Sequence, residues 1–289
     1  MIFRTLLFTL SSFIAFGAEN SVHPNAFIDE IPGDSPLVIS APHGGREKPA
    51  NIPNRTYGVT DADANTQELA RTVGEHFLKS TGHRPHLIIC LLHRSKLDAN
   101  RDIKEAAQRN AIAEKAWHDY HAGITRALAA AVARHGFAFL IDLHGQNHKG
   151  LRVELGYLHR STELAQPDPL LDAPAFAATG SLQFMAKNAT VSYSALLKGP
   201  TSLGALLENG GFHSTPSPRL PVPDEPYFRG GYTVDRHIRG TPEVTGLQIE
   251  ANRTRLRDTA ANRERFAVVL VPSLLTFVKT HLKKDLGGR

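Results

Sequence analysis

The stretch FAFLIDLHG, residues 137–145, decides how this chain is read. Its apolar run has the character of a buried strand, yet it closes on Asp142 and His144 rather than on ordinary turn residues. Working outward, the arrangement recurs. PLVISAPH (36–43) is a strand ending at Pro42 and His43, followed by two glycines that let a backbone approach a ligand closely. HLIICLL (86–92) is a strand that runs into a charged cluster containing Arg94, Asp98, Asn100 and Arg101, and VTGLQIEAN (244–252) ends in Glu250.

The segments between these strands carry helical periodicity. In DANTQELARTVGEHFLKS (63–80), Leu69, Val73, Phe77 and Leu78 share one face, with Asp63 or Asn65 as the N-cap. Residues 103–136 read as one long Ala-rich helix stopped by Gly136, and 258–284 as a closing amphipathic helix kinked at Pro272. Strand and helix in alternation give an α/β fold in three layers, with a mostly parallel or mixed sheet and helices on both faces. Two Pro-, Gly- and Ser-rich segments, 159–180 and 211–232, read as loops covering a site.

Composition narrows the class. The 289 residues are 41% hydrophobic and 21% charged, an ordinary globular balance. Residues 1–18 combine Arg4, an apolar run and small residues at 15, 17 and 18, the form of a secretory signal, so that 19–289 make a single α/β domain in a secreted or periplasmic protein. The run is too short and interrupted to be a good membrane span, and no later segment reads as one, so no stable membrane insertion is expected. The net charge is +5, and cleavage would remove Arg4 and no acid. The bases are scattered and lack aromatic neighbours, which argues against a nucleic-acid partner and suits a small anionic substrate. With one cysteine, Cys90, and 15 histidines, any metal site must be built from histidine and carboxylate.

In an open α/β sheet, ligands bind beyond the carboxyl ends of the strands, where His43, His144 and Glu250 stand. Two histidines and a carboxylate on separate elements are a recurrent way to hold zinc with one position open. Asp63 is the natural third ligand, with Asp61 as its competitor and helix capping as its plain structural role. Glu250, ending an apolar run, suits a general base. Asn100 and Arg101 suit a clamp for a substrate carboxylate, oriented by Asp98, while Arg94 serves the substrate or polarises a carbonyl oxygen.

Taken in order, APHGG, DANTQEL, RSKLDANR, IDLHG, FRGGY and LQIEANR resemble the N-formylglutamate amidohydrolases, relatives of zinc carboxypeptidases and of the succinylglutamate desuccinylase and aspartoacylase group. The resemblance implies a zinc-exopeptidase-like fold and one catalytic zinc on His43, Asp63 and His144, with Glu250 as base. It favours Asp63 over Asp61 because the family's acid stands six residues before a helical leucine, here Leu69. The family's basic pair after the double glycine falls one residue further on, at Arg236 and His237, which places Arg236 among the substrate-binding candidates. The expected activity is zinc-dependent cleavage of an amide next to a free carboxylate, as in an N-acyl amino acid. The rivals are a carboxypeptidase-like enzyme acting on peptides or cell-wall fragments and a non-catalytic carboxylate- or metal-binding protein of the same fold.

Overall fold

The structure is a computed structural model and describes residues 27–288, so residues 1–18, expected to form a secretory signal, lie outside the described residues. Seven strands among the described residues form one sheet: β1 (Ile28–Ile31), β2 (Leu37–Ala41), β3 (His86–Cys90), β4 (Ala138–Gln146), β5 (Val153–Gly156), β6 (Ser214–Thr215) and β7 (Val244–Asn252). Their order is β1-β3-β2-β4-β7-β5-β6. The centre, β3-β2-β4-β7, is parallel, whereas β1 joins β3 and β5 joins β7 antiparallel. The α/β fold class expected from the alternating pattern is the one found.

Side-chain alternation along the strands feeds two cores. Phe139, Ile141 and Leu143 of β4, with Ile39, Leu247 and Ile249, pack against Leu69, Val73 and Phe77 of helix α1 (Thr66–Thr81) and against Phe266, Leu270 and Phe277 of the C-terminal helix Ala260–Leu282. On the opposite face, Val38, Ile88 and Leu140 pack under Trp117, Tyr120 and Ile124, with Val234 from the helix Tyr232–Ile238. Burying each such side chain is worth about 1.5–3 kcal/mol. The second face changes character towards the strand ends, where Asp142, His144 and Gln146 succeed Leu140 at every second position.

Several local expectations are corrected. The segment 103–136 is two helices, α2 (Ile103–Ala107) and α3 (Ala111–His135). Gln108 and Arg109 turn left-handed (φ 49° and 66°), and the Asn110 side chain accepts from Ala113 N at 3.0 Å to start α3 afresh. Gly136 ends α3 in the left-handed conformation, as the sequence suggests. Asp63 does not cap α1, and Asn65 holds the cap position without a side-chain cap bond. Segment 159–180 contains three four-residue helices, Ser161–Leu164, Asp168–Leu171 and Pro174–Ala177, too short to show a period. The C-terminal helix is one element with Pro272 inside it, as the expected closing helix requires. By length and composition this helix is able to cross a membrane, contrary to expectation, but 56% of its apolar window is buried inside the protein.

The restart at Asn110 gives a direct test. Asn110→Ala should lose about 1 kcal/mol of stability through the lost cap. Urea unfolding followed by Trp117, the single tryptophan, reads the change on α3 itself.

Candidate metal centre and active site

Four chain segments meet where the second sheet face turns polar. His43 stands just beyond β2, in a turn whose two glycines lie against the chain itself. A Cβ on Gly44 would stand 2.5 Å from Gln67 N, and one on Gly45 2.3 Å from Leu92 O. The expectation that these glycines admit a ligand is therefore replaced by close packing of the turn on the start of α1 and the exit of β3. Asp63 lies in the loop entering α1, with its amide bonded to His43 O at 3.1 Å. His144 lies on β4 directly beside Glu250 on β7, which in turn pairs with Glu154 on β5.

His43 Nδ1 and His144 Nδ1 each lie 3.3 Å from Asp63 Oδ2, which also accepts from Gly145 N at 3.1 Å. The opposite ring nitrogens are committed. His43 Nε2 bonds Asp98 Oδ1 at 2.7 Å, and His144 Nε2 bonds Asp142 Oδ2 at 2.8 Å. When the rings are neutral, these bonds hold the imidazole proton on Nε2 of both and leave Nδ1, beside Asp63, free to face a cation. His43, Asp63 and His144 are all buried, and their ligand atoms lie within 4.8 Å of one another. A separation near 3.3 Å is also what two donors of one tetrahedral ion show when each bond is about 2.0–2.1 Å. This donor set fits a divalent metal ion, and the carboxylates behind both rings fit it further.

The charge balance points the same way. Burial would push His144 down, but Asp142, Asp63 and Glu250 together hold it up at about 10. Burial raises Asp63 and Asp98, yet the adjacent histidines, with Arg94 beside Asp98, keep both well below the usual carboxylate range. The acids demand positive charge, and a protonated His144 or a bound cation supplies it. Glu250 is pushed up to about 8, chiefly by burial, with Asp63 and Glu154 adding to the rise and His144 opposing it. Its Oε1 accepts from Gln248 Nε2 at 2.8 Å and lies 4.0 Å from His144 Nδ1, while its Oε2 is buried without a partner.

The other sequence candidates divide. Arg94 is buried, donating from Nε to Asp98 Oδ2 at 2.9 Å, with Nη1 3.5 Å from Asp63 Oδ1. Asn100 wedges between His144, 3.3 Å from its Nδ2, and the helix Tyr232–Ile238, where its Oδ1 accepts from Thr233 N at 2.8 Å. Arg101 and Arg236 are not brought into the cluster. Arg101 is partly exposed, with Nη1 on Asn100 O and Nε 3.5 Å from Glu105, and the Arg236 guanidinium lies 5.0 Å over the Trp117 ring. Asp61 is exposed. Asp98 orients His43 rather than the Asn100–Arg101 pair alone, and His237 is buried against His121 Nδ1 at 2.9 Å.

Sequence reading gave no role to Asp142, Gln248 or Glu154. Strand parity could have found the first two, since 142 and 248 lie two residues before 144 and 250 on the same face.

Residues 103–256, just over half of the chain, match the family model described as N-formylglutamate amidohydrolase. No curated protein matches the chain. The crystal structure of N-formylglutamate amidohydrolase from Ralstonia eutropha JMP134 is similar at 15% identity, with a TM-score of 0.53 over 86% of this chain and 98% of that one. The gene product Atu2144 from Agrobacterium tumefaciens is similar at 11% identity, with a TM-score of 0.51 over 88% and 94%. At these identities the likeness is one of fold.

The geometry separates the two competing aspartates. Asp63→Ala should lose bound divalent metal while Asp61→Ala keeps it, as measured by metal content after dialysis. Equal retention in both variants would remove Asp63 from the site.

Proposed function

Because the chain belongs to the N-formylglutamate amidohydrolase family, we propose that it hydrolyses an amide bond next to a free carboxylate, with an N-acyl amino acid as substrate and one zinc ion held by His43, Asp63 and His144. The observation that carries this reading is the convergence of two Nδ1 atoms on Asp63 Oδ2, backed by Asp98 and Asp142 and flanked by Glu250. A zinc ion bound there would polarise the scissile carbonyl and acidify a nearby water.

The residues of the chain divide the remaining work. Glu250, which a cation bound beside it would favour in the ionised form, takes the proton of the attacking water on its unpartnered Oε2 and hands it to the leaving nitrogen. Gln248 holds Oε1 and so fixes the carboxylate's orientation. A non-catalytic binder would have no use for such a buried, half-satisfied acid. Arg94 stands beside Asp63 and meets negative charge developing on the carbonyl oxygen. Asn100, Arg101 and Arg236 receive the substrate carboxylate. In support, Trp117 links the two arginines, donating from Nε1 to Arg101 O at 2.9 Å and lying under Arg236. We read residues 19–289 as one domain, exported to the periplasm or beyond.

Two measurements test the reading. Glu250→Gln keeps size and hydrogen bonding, so zinc content should stay at one per chain while kcat on N-formyl, N-acetyl or succinyl amino acids falls by about a hundredfold or more. Unchanged turnover would give the proton to another residue.

The clamp is tested from both sides. Amidating the substrate carboxylate and changing Arg101→Met should each remove one charge-assisted contact, about 1.5–3 kcal/mol, or roughly a tenfold to hundredfold fall in kcat/KM. The lower end is expected because the Arg101 side chain is 36% exposed. The two losses should not multiply; a mutant that still prefers the free acid as strongly as the parent does would move the clamp to Arg236.

A further inference from the structure

Arg257 lies beyond every motif that drew attention in the sequence and just past the residues that match the family model. It is 3% exposed, and its guanidinium spends its donors on the main chain. Nε donates to Ala251 O at 3.0 Å, Nη2 to Gln146 O at 3.2 Å, and Nη1 to Ala64 O. Those carbonyls belong to the residue after Glu250, the second residue after His144 and the residue after Asp63. One side chain therefore touches three of the four segments that supply the candidate site, those carrying Asp63, His144 and Glu250 but not the turn carrying His43.

The bonds run in both directions. The carbonyl of Arg257 accepts from Asn65 Nδ2 at 3.1 Å and from Arg263 Nη1 at 2.9 Å, tying the Asp63 loop and the C-terminal helix to the same residue. Room for the guanidinium comes from Gly145, where a Cβ would stand 2.2 Å from Arg257 Nε. Any other residue there would evict the arginine or shift the strand. Gly145 N in turn donates to Asp63 Oδ2, so the loop and strand joined by the fork also meet at the candidate ligand itself.

We propose that Arg257 is a positioning residue whose planar fork holds the Asp63 loop and the ends of β4 and β7 at fixed spacing, and so sets the geometry of Asp63, His144 and Glu250. Arginine suits the task because it offers several N–H donors in one rigid plane, whereas a lysine ammonium on a flexible stem cannot match three carbonyls in that arrangement. The consequence for metal affinity rests on the zinc reading above; the clamp itself does not.

The experiment has two readouts. In metal-free protein, Arg257→Met should speed amide hydrogen exchange together at residues 63–66, 145–147 and 251–253, by roughly tenfold for about 1 to 1.5 kcal/mol lost per bond, while α3 exchanges as in the parent. Zinc affinity by chelator competition, measured well below the unfolding temperature, should fall by about 10- to 100-fold. Gly145→Ala, which leaves Arg257 in the sequence, should reproduce both effects, and the double variant should add little. It also carries the comparison if Arg257→Met does not fold. Arg257→Lys keeps the charge and should remain loosened. Exchange changes confined to residues 253–257, a silent Gly145→Ala, or full recovery by lysine would each overturn the proposal. A parent that takes up no zinc would sink the metal reading, and the exchange pattern would still decide the clamp.

Discussion

Four carboxylates, those of Asp63, Asp98, Asp142 and Glu250, are buried around two histidines at the ends of the central strands. Burying one ionised acid without a partner is costly, and burying four together is prohibitive unless positive charge and N–H donors are built in around them. Much of the local architecture answers that demand. Asp98 takes His43, Arg94 and the Asn100 amide; Asp142 takes His144 and the hydroxyl of Ser40 on β2. Arg55, buried beneath them, holds the carbonyls of Val59 and Arg94 and lies 3.8 Å from Asp98. Glu250 alone keeps an oxygen without a partner, and an atom left in that state is available for chemistry.

Much of this was legible in the sequence, for a physical reason. A strand that is apolar until its last residues and then changes to Asp, His or Glu marks the point where the covering helices stop, and β4 and β7 both do this. The alternating strand and helix periods gave the parallel centre of the sheet. What escaped depends on contacts distant in sequence. Nothing local distinguishes Asp98 as the partner of His43, 55 residues away, from Asp98 as the partner of its neighbours. The strands β1, β5 and β6 are two to four residues long and carry no period of their own. The break between α2 and α3 turns on one asparagine side chain competing for a backbone amide within a run that otherwise favours helix.

The substrate-facing candidates were the least legible. Asn100 and Arg101 are adjacent in sequence, yet the chain turns so that one is buried between His144 and a helix while the other reaches the surface. Arg236 rests on an aromatic ring contributed by a helix more than a hundred residues earlier. Residue type identified them as able to bind an anion, but only the turn of the backbone decides which cation faces which group.

The alternation that puts Asp142, His144, Gln248 and Glu250 on one side of the sheet also limits how such a chain can diverge. A single residue inserted within β4 or β7 would turn these side chains into the apolar layer and bring Leu143 or Ile249 out in their place. Lengthening the loop 216–231, between β6 and the helix Tyr232–Ile238, or the turn 147–152 changes no parity in β4 or β7. A chain of this design can therefore gain or lose residues in those loops at little cost to the sheet, whereas a one-residue insertion or deletion within β4 or β7 would dismantle the face that carries Asp142, His144, Gln248 and Glu250.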